Sequence, residues 1–334
     1  MKLLHVNFHK GCELDIEYVF NTLGHTVQSW RFDDGETQGD DIYRINYSRA
    51  QKCWEKYKEF FNTFDGIITS DTCPTSRPFL QNNWSKLLII WVCNRFDYAV
   101  EGDEQFYDLL RSIPTKKNVY IAGYTPVENI YSKQIRNVDI TDLLIRPLGK
   151  NVISQNLSQT YTNKEILFYV PFYENETKFM NLSEKLENMG IQNKCERFQH
   201  VSDLLQYKGI ICLPYAWSIL TFFEVMQLGI VYFAPTPRFL IEMSRSDQYL
   251  KQRYWFQPPY NGDPELLRAA EIYCDEHTHL VVYFDSWDDL QEKVRSTDYV
   301  GQTKKILEYA EQHSQNTLSK WNSIITDYNQ WSKT

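Results

Sequence analysis

No stretch of this 334-residue chain stays apolar for long. Its apolar runs, such as Leu87 to Cys93 and Ile210 to Leu213, fall far short of the roughly 18 residues that a membrane-spanning helix needs. Paired cysteines are missing too. The seven (Cys12, Cys53, Cys73, Cys93, Cys195, Cys212, Cys274) are odd in number and scattered, with no Cys-x-x-Cys couple to suggest zinc or dithiol chemistry. Free thiols in a reducing compartment are therefore expected. Positive charge is also short: 35 Lys and Arg face 43 Asp and Glu, a net charge of -8, whereas a duplex nucleic-acid binder needs a basic stripe against phosphates. No Walker glycine loop and no full Gly-x-Gly-x-x-Gly follows the first strand, which argues against an NTPase or a dehydrogenase of the usual kind. The N-terminus runs from Met1 straight into Lys-Leu-Leu-His-Val-Asn-Phe, a short strand rather than the apolar core of a signal peptide. A cytoplasmic location is expected. Without such a signal, the Asn-x-Ser/Thr triplets at Asn46, Asn83, Asn156 and Asn175 carry little weight.

What the chain does have is size and an ordinary globular composition. Its length exceeds what one hydrophobic core usually organises, so two domains are expected. Hydrophobic residues make up 43% and charged residues 23%, close to average usage. The 23 Tyr and 9 Trp suit surfaces that stack on sugars and large cores alike.

Short apolar runs alternate with stretches of helical period, the pattern of βα units around a mainly parallel sheet. Strands are expected at Leu3–Phe8, Thr26–Phe32, Gly66–Thr69, Leu87–Cys93, Val119–Ala122 and Thr141–Ile145, with helices at Glu13–Leu23 and Ser48–Phe61. A second series has strands at Ile166–Pro171, Gln192–Phe198, Gly209–Leu213, Ile230–Ala234 and Val281–Phe284. Its helices fall at Glu176–Met189 and Glu265–Glu276. The polar stretch 151–163 reads as a linker between an N-terminal domain over 1–150 and a C-terminal one over 164–310. The segment 311–334 reads as a helix that crosses back to the first domain. Several strands finish in polar loop clusters, and in open α/β sheets ligands bind beyond the carboxyl ends of the strands.

The segment from Cys212 to Pro237 carries the most chemistry. A buried strand breaks at Pro214 and opens into a helix expected to be N-capped by Ser218 and stopped by Gly229. The helix N-terminus favours a diphosphate, with the hydroxyls of Ser218 and Thr221 as extra donors. The two oxygens of Glu224, further along, suit the vicinal hydroxyls of a ribose. The series Pro214...Ser218...Glu224-Val-Met-Gln-Leu-Gly229-Ile-Val resembles the donor-binding stretch of GT-B glycosyltransferases. The motif covers about 25 residues, and the two-domain layout extends the likeness loosely over the chain. The resemblance implies two Rossmann-like α/β domains facing a cleft, the second holding a nucleotide sugar, with a C-terminal helix crossing back.

It further implies transfer of a hexose from a UDP- or GDP-sugar to a glycan, protein or small acceptor, without a metal. Consistently, no Asp-x-Asp motif stands at a strand end. The sequence departs from retaining members at Ala216 and Trp217, where these carry another Glu. In place of the usual Arg/Lys pair after the first strand of the second domain it has Pro171-Phe172-Tyr173-Glu174 and then Lys178. Tyr215, Arg146 and Lys178 complete the candidate donor contacts. Several inverting members keep a base in the loop after the first strand, and that loop here is Asn7-Phe8-His9-Lys10-Gly11-Cys12. His9, whose imidazole titrates near neutrality when unperturbed, is the first choice; Asp71 and Asp97 are the reserves. Arg95 beside Asp97 leaves open a turn held by a satisfied ion pair. Cys12 and Cys93 read as inert buried thiols. Two rivals share the architecture: a sugar-nucleotide epimerase and a non-catalytic nucleotide-sugar-binding module.

Overall fold

The computed structural model describes residues 1–33, 42–150, 168–171, 181–214, 216–251, 256 and 260–334. The expected linker 151–163, Lys178 and Tyr215 lie outside the described residues. The chain divides into two compact units. The first comprises Met1–Leu148 with Gln315–Thr334, and the second Gly149–Ser314.

In the first unit the strands are β1 (Lys2–Val6), β2 (Thr26–Trp30), β3 (Gly66–Thr69), β4 (Leu87–Val92) and β5 (Val119–Gly123). Helices α1 (Lys10–Thr22), α2 (Tyr47–Phe61), α3 (Arg77–Gln81), α4 (Glu104–Arg111) and α5 (Pro126–Arg136) connect or follow them. All neighbouring strands run parallel in the order β2-β1-β3-β4-β5. β3 and β4 are buried along their whole length, as strands covered on both faces must be. This explains why Gly66–Thr69 and Leu87–Val92 read as unbroken apolar runs. On one flank Trp54, Phe61, Phe79 and Trp84 form a ring cluster with centroids 5.0 to 6.4 Å apart.

The second unit repeats the plan. Its strands β6 (Phe168–Pro171), β7 (Asn193–Glu196), β8 (Gly209–Ile211), β9 (Val231–Pro235) and β10 (Val281–Phe284) form a parallel sheet ordered β10-β9-β8-β6-β7. Its helices are α6 (Leu182–Asn188), α7 (Leu220–Gln227), α8 (Pro237–Ser246), α9 (Gln248–Lys251), α10 (Pro264–Ala269) and α11 (Trp287–Ser296). Helix α12 (Tyr299–Trp331) is a single run of 33 residues that begins in the second unit and ends in the first. Within the first unit Trp321 of α12 is fully buried, 5.4 Å from the Phe20 ring and 5.7 Å from Trp91. Within the second, Thr303 donates to the Gly229 carbonyl at 2.8 Å, and Gln227 donates to Ser314 at 3.1 Å.

Three local expectations need correction. Thr141–Ile145 forms only a bridge from Leu144 to Gly123, because Leu143 N–H turns back to the Thr141 hydroxyl at 2.9 Å. The helix expected over Glu265–Glu276 stops at Ala269: Ala270 is extended (φ -65, ψ 148), and two short 3-10 turns follow. The loop expected at His9–Cys12 is instead the cap and first turn of α1, since His9 Nδ1 accepts the Cys12 N–H at 3.3 Å.

Candidate functional site

Numbered within each unit, both sheets have the order 2-1-3-4-5. The connections reverse direction between the first and third strands, and the crevice beyond the carboxyl ends of those two strands is where such sheets bind ligands. In the first unit that crevice lies beyond β1 and β3; in the second it lies beyond β6 and β8.

Beyond β3 the chain turns sharply. Asp71 adopts a left-handed backbone (φ 73), held because its carbonyl accepts the N–H groups of Cys93 at 3.1 Å and Asn94 at 2.9 Å. A non-glycine residue in this region is strained, and such strain gathers at functional positions. Asp71 is only 5% exposed, and its Oδ2 accepts no hydrogen bond among the described residues. Burial pushes its carboxyl pKa up, while His9, Tyr43 and Asn94 pull the other way. The rings of Phe8, Tyr43 and Tyr98 stand in series beside it, with centroids 5.0 and 5.3 Å apart. Asp71 and the expected base His9 therefore meet at one crevice.

One ring nitrogen of His9 is already engaged, however. A backbone N–H can only donate, so the bond from Cys12 N–H engages the lone pair of His9 Nδ1 and leaves the ring proton of the neutral form on Nε2. In that tautomer His9 Nε2 donates rather than accepts.

Asp97, the other reserve, lies elsewhere in the same unit, fully buried. Arg136 Nε and the Tyr107 hydroxyl each donate to its Oδ2 at 2.7 Å, the Tyr131 hydroxyl lies at 3.2 Å from Oδ1, and Arg95 Nε stands 3.3 Å from Oδ1. A carboxylate so fully engaged is a structural ion-pair centre, so the Asn-Arg-Phe-Asp segment is the satisfied turn that its sequence left open. Arg146 is 6% exposed and donates to the Tyr124 carbonyl at 2.7 Å in the first unit.

In the second unit, α7 follows β8 and ends at Gly229 (φ 66). Ser218 and Thr221 are half-buried, and Glu224 is buried at 7% exposure among Phe222, Phe223, Val225 and Met226. A carboxylate kept out of water in such surroundings needs compensating partners, so Glu224 is not a solvated surface group. Gly149 (φ 71) lies against this helix: a Cβ there would come within 2.6 Å of the Phe223 carbonyl carbon and 2.9 Å of Glu224 N.

The helix start also differs from expectation. Ile219, not Ser218, is the N-cap residue, and no side chain of the segment itself caps it. Instead Glu271, fully buried, accepts the Ile219 N–H at 2.5 Å. Its backbone N–H donates to Trp217 O at 3.0 Å, and its carbonyl lies 2.6 Å from Nδ1 of the buried His277. The break at Ala270 makes this reach possible. A protein carboxylate thus already occupies one N–H that a diphosphate was expected to use.

Sequence reasoning passed over Glu271, since no local pattern ties it to a partner 52 positions away. It also passed over His5 on β1, fully buried with Nε2 2.8 Å from the Ser70 hydroxyl. The signal there was a histidine at an inward position of an apolar strand.

No family model and no curated protein sequence matches the chain. Solved structures do. The calicheamicin glycosyltransferase CalG4 matches with a TM-score of 0.50 at 9% identity, over 98% of both chains. The glycosyltransferase of kitacinnamycin matches with 0.52 at 9% identity, again over 98% of both. The fold is GT-B. At such identity the likeness concerns the fold alone. The UDP-GlcNAc 2-epimerase of Methanocaldococcus jannaschii matches with a TM-score of 0.41 at 8% identity, over 92% of this chain and 93% of that one. Among the described residues no helix is long and apolar enough to cross a membrane.

Proposed function

We propose that this GT-B protein transfers a hexose from a nucleoside-diphosphate sugar to a hydroxyl of a glycan, protein or small acceptor. The observation that carries the reading is Asp71: strained, nearly buried, with one carboxylate oxygen that accepts no hydrogen bond among the described residues. Such an oxygen is suited to an acceptor O–H. As the acceptor oxygen bonds to the anomeric carbon, its proton passes to Asp71 and the bond to the departing diphosphate breaks. A base whose pKa is raised towards the working pH does this best.

The donor lies at the carboxyl end of β8. Glu224 receives the ribose hydroxyls, and Ser218 and Thr221 donate towards the phosphates. No metal takes part. Because Glu271 occupies the Ile219 N–H, the phosphates rely on these side chains more than on the helix start.

The test is a thermal-shift panel of UDP-, GDP- and TDP-sugars, because a ligand that binds only the folded state raises apparent stability by about 2.7 kcal/mol at a hundred times its Kd. One donor class should raise the melting temperature, and Glu224→Ala should abolish that shift while leaving the far-ultraviolet spectrum unchanged. A panel without any shift overturns the reading. Conversion of a labelled donor into its epimer with no acceptor present would replace transfer with epimerisation.

A further inference from the structure

We propose that Glu271 sets how the donor site treats phosphate charge. Its carboxylate closes the start of α7 to the second phosphate, so that a nucleoside diphosphate is held little more tightly than the monophosphate. This role rests on the donor reading above.

In a capping box the carboxylate that reaches the N-cap N–H comes from the same helix, three residues on. In α7 that position is Phe222, and the carboxylate comes from Glu271 instead. Its Oε2 accepts the Ile219 N–H at 2.5 Å, and its own N–H donates to the Trp217 carbonyl at 3.0 Å, so Glu271 grips the entry to α7 on both sides of Ser218. Glu271, Ile272 and Tyr273 are all buried. The turn they form is held as well. Nδ1 of the buried His277 lies 2.6 Å from the Glu271 carbonyl, the Tyr283 hydroxyl donates to the Ile272 carbonyl, and the Tyr273 hydroxyl donates to the Pro235 carbonyl at 2.7 Å. A side chain so enclosed has no second place to go, and Glu271 stays on the helix when the donor arrives.

Ile219 precedes Glu224 by five residues, about 7.5 Å along a helix axis. With the ribose diol on Glu224, the diphosphate runs back along this length and its second phosphate comes to the N-cap. The partial positive charge there, about half an elementary charge, already faces the full negative charge of Glu271. A phosphate brought beside that carboxylate in surroundings poor in water is repelled. The repulsion offsets what a helix start otherwise contributes to phosphate binding. Glu271 is thus a specificity-determining residue: it leaves the ribose and first phosphate alone and removes the advantage of the second.

The experiment is calorimetric titration of the full chain with UMP and UDP, GMP and GDP, and TMP and TDP. For the preferred base, the wild type should bind the diphosphate less than about tenfold more tightly than the monophosphate. Glu271→Gln keeps an oxygen for the Ile219 N–H but removes the charge. It should tighten the diphosphate by about tenfold or more and change the monophosphate by less than about threefold. A wild-type preference for the diphosphate above about tenfold, or a preference that Glu271→Gln leaves unchanged, overturns the role of Glu271 while the donor reading stands. Binding of no nucleotide at all overturns both. The wild-type ratio decides even where the variant does not fold.

Discussion

Lowering the pH from 7 to 5 should weaken the first unit through His5 alone by about 2 kcal/mol. His5 is fully buried on β1, with Nε2 2.8 Å from the Ser70 hydroxyl and Nδ1 3.4 Å from the Asn7 amide nitrogen. Burial lowers its pKa from 6.5 to about 3. The unfolded chain takes up this proton as pH falls through 6.5, while the native state refuses it until about pH 3. The unfolded state therefore binds more protons across that window, and native stability falls with falling pH. The slope approaches about 1.4 kcal/mol per unit, which gives about 5 kcal/mol over the whole window and about 2 between pH 7 and 5. Urea unfolding of wild type and His5→Gln at both pH values measures it. Glutamine keeps a donor for Ser70 but cannot be protonated, so its stability loss between the two pH values should be smaller by about 2 kcal/mol. Equal losses in both proteins would refute the buried neutral imidazole, whatever the variant's stability at pH 7.

Other substitutions separate chemistry from architecture. Asp71→Asn should lower kcat by about a hundredfold or more without altering donor affinity in a nucleotide-sugar titration; undiminished turnover would remove Asp71 as the base. Asp97→Asn should act on stability instead, costing about 3–5 kcal/mol by calorimetry, as breaking a buried ion pair does. Gly149→Ala should destabilise the second unit by more than the roughly 1–2 kcal/mol that a left-handed backbone alone costs, because its Cβ also meets α7; a melting temperature equal to wild type would contradict that contact.

The strands that read well from the sequence were those buried on both faces. Gly66–Thr69 and Leu87–Val92 are short apolar runs closed by turn-forming residues, and nothing else competes for their backbone groups. The segments that misled were decided by single local bonds: the Thr141 hydroxyl turns the next residues out of the sheet, and the extended Ala270 divides what looks like one helix. For the site, His9 and Asp71 were readable because both follow short strands in sequence. The tautomer of His9 was not, because it depends on where the lone pair of one imidazole nitrogen goes. The fate of Asp97 was hidden for the same reason as the role of Glu271. Arg136 lies 39 positions from Asp97, and Ile219 lies 52 from Glu271, separations over which no periodicity speaks.

The close approach at Gly149 constrains how the position can vary. The backbone of α7 passes so close to it that a methyl group would collide with the peptide joining Phe223 to Glu224. Among descendants of this sequence, purifying selection on the interior alone would keep the position glycine, with no ligand touching it. Drift at residue 149 would have to await a compensating shift of the helix that carries Glu224, so the two positions would evolve as one.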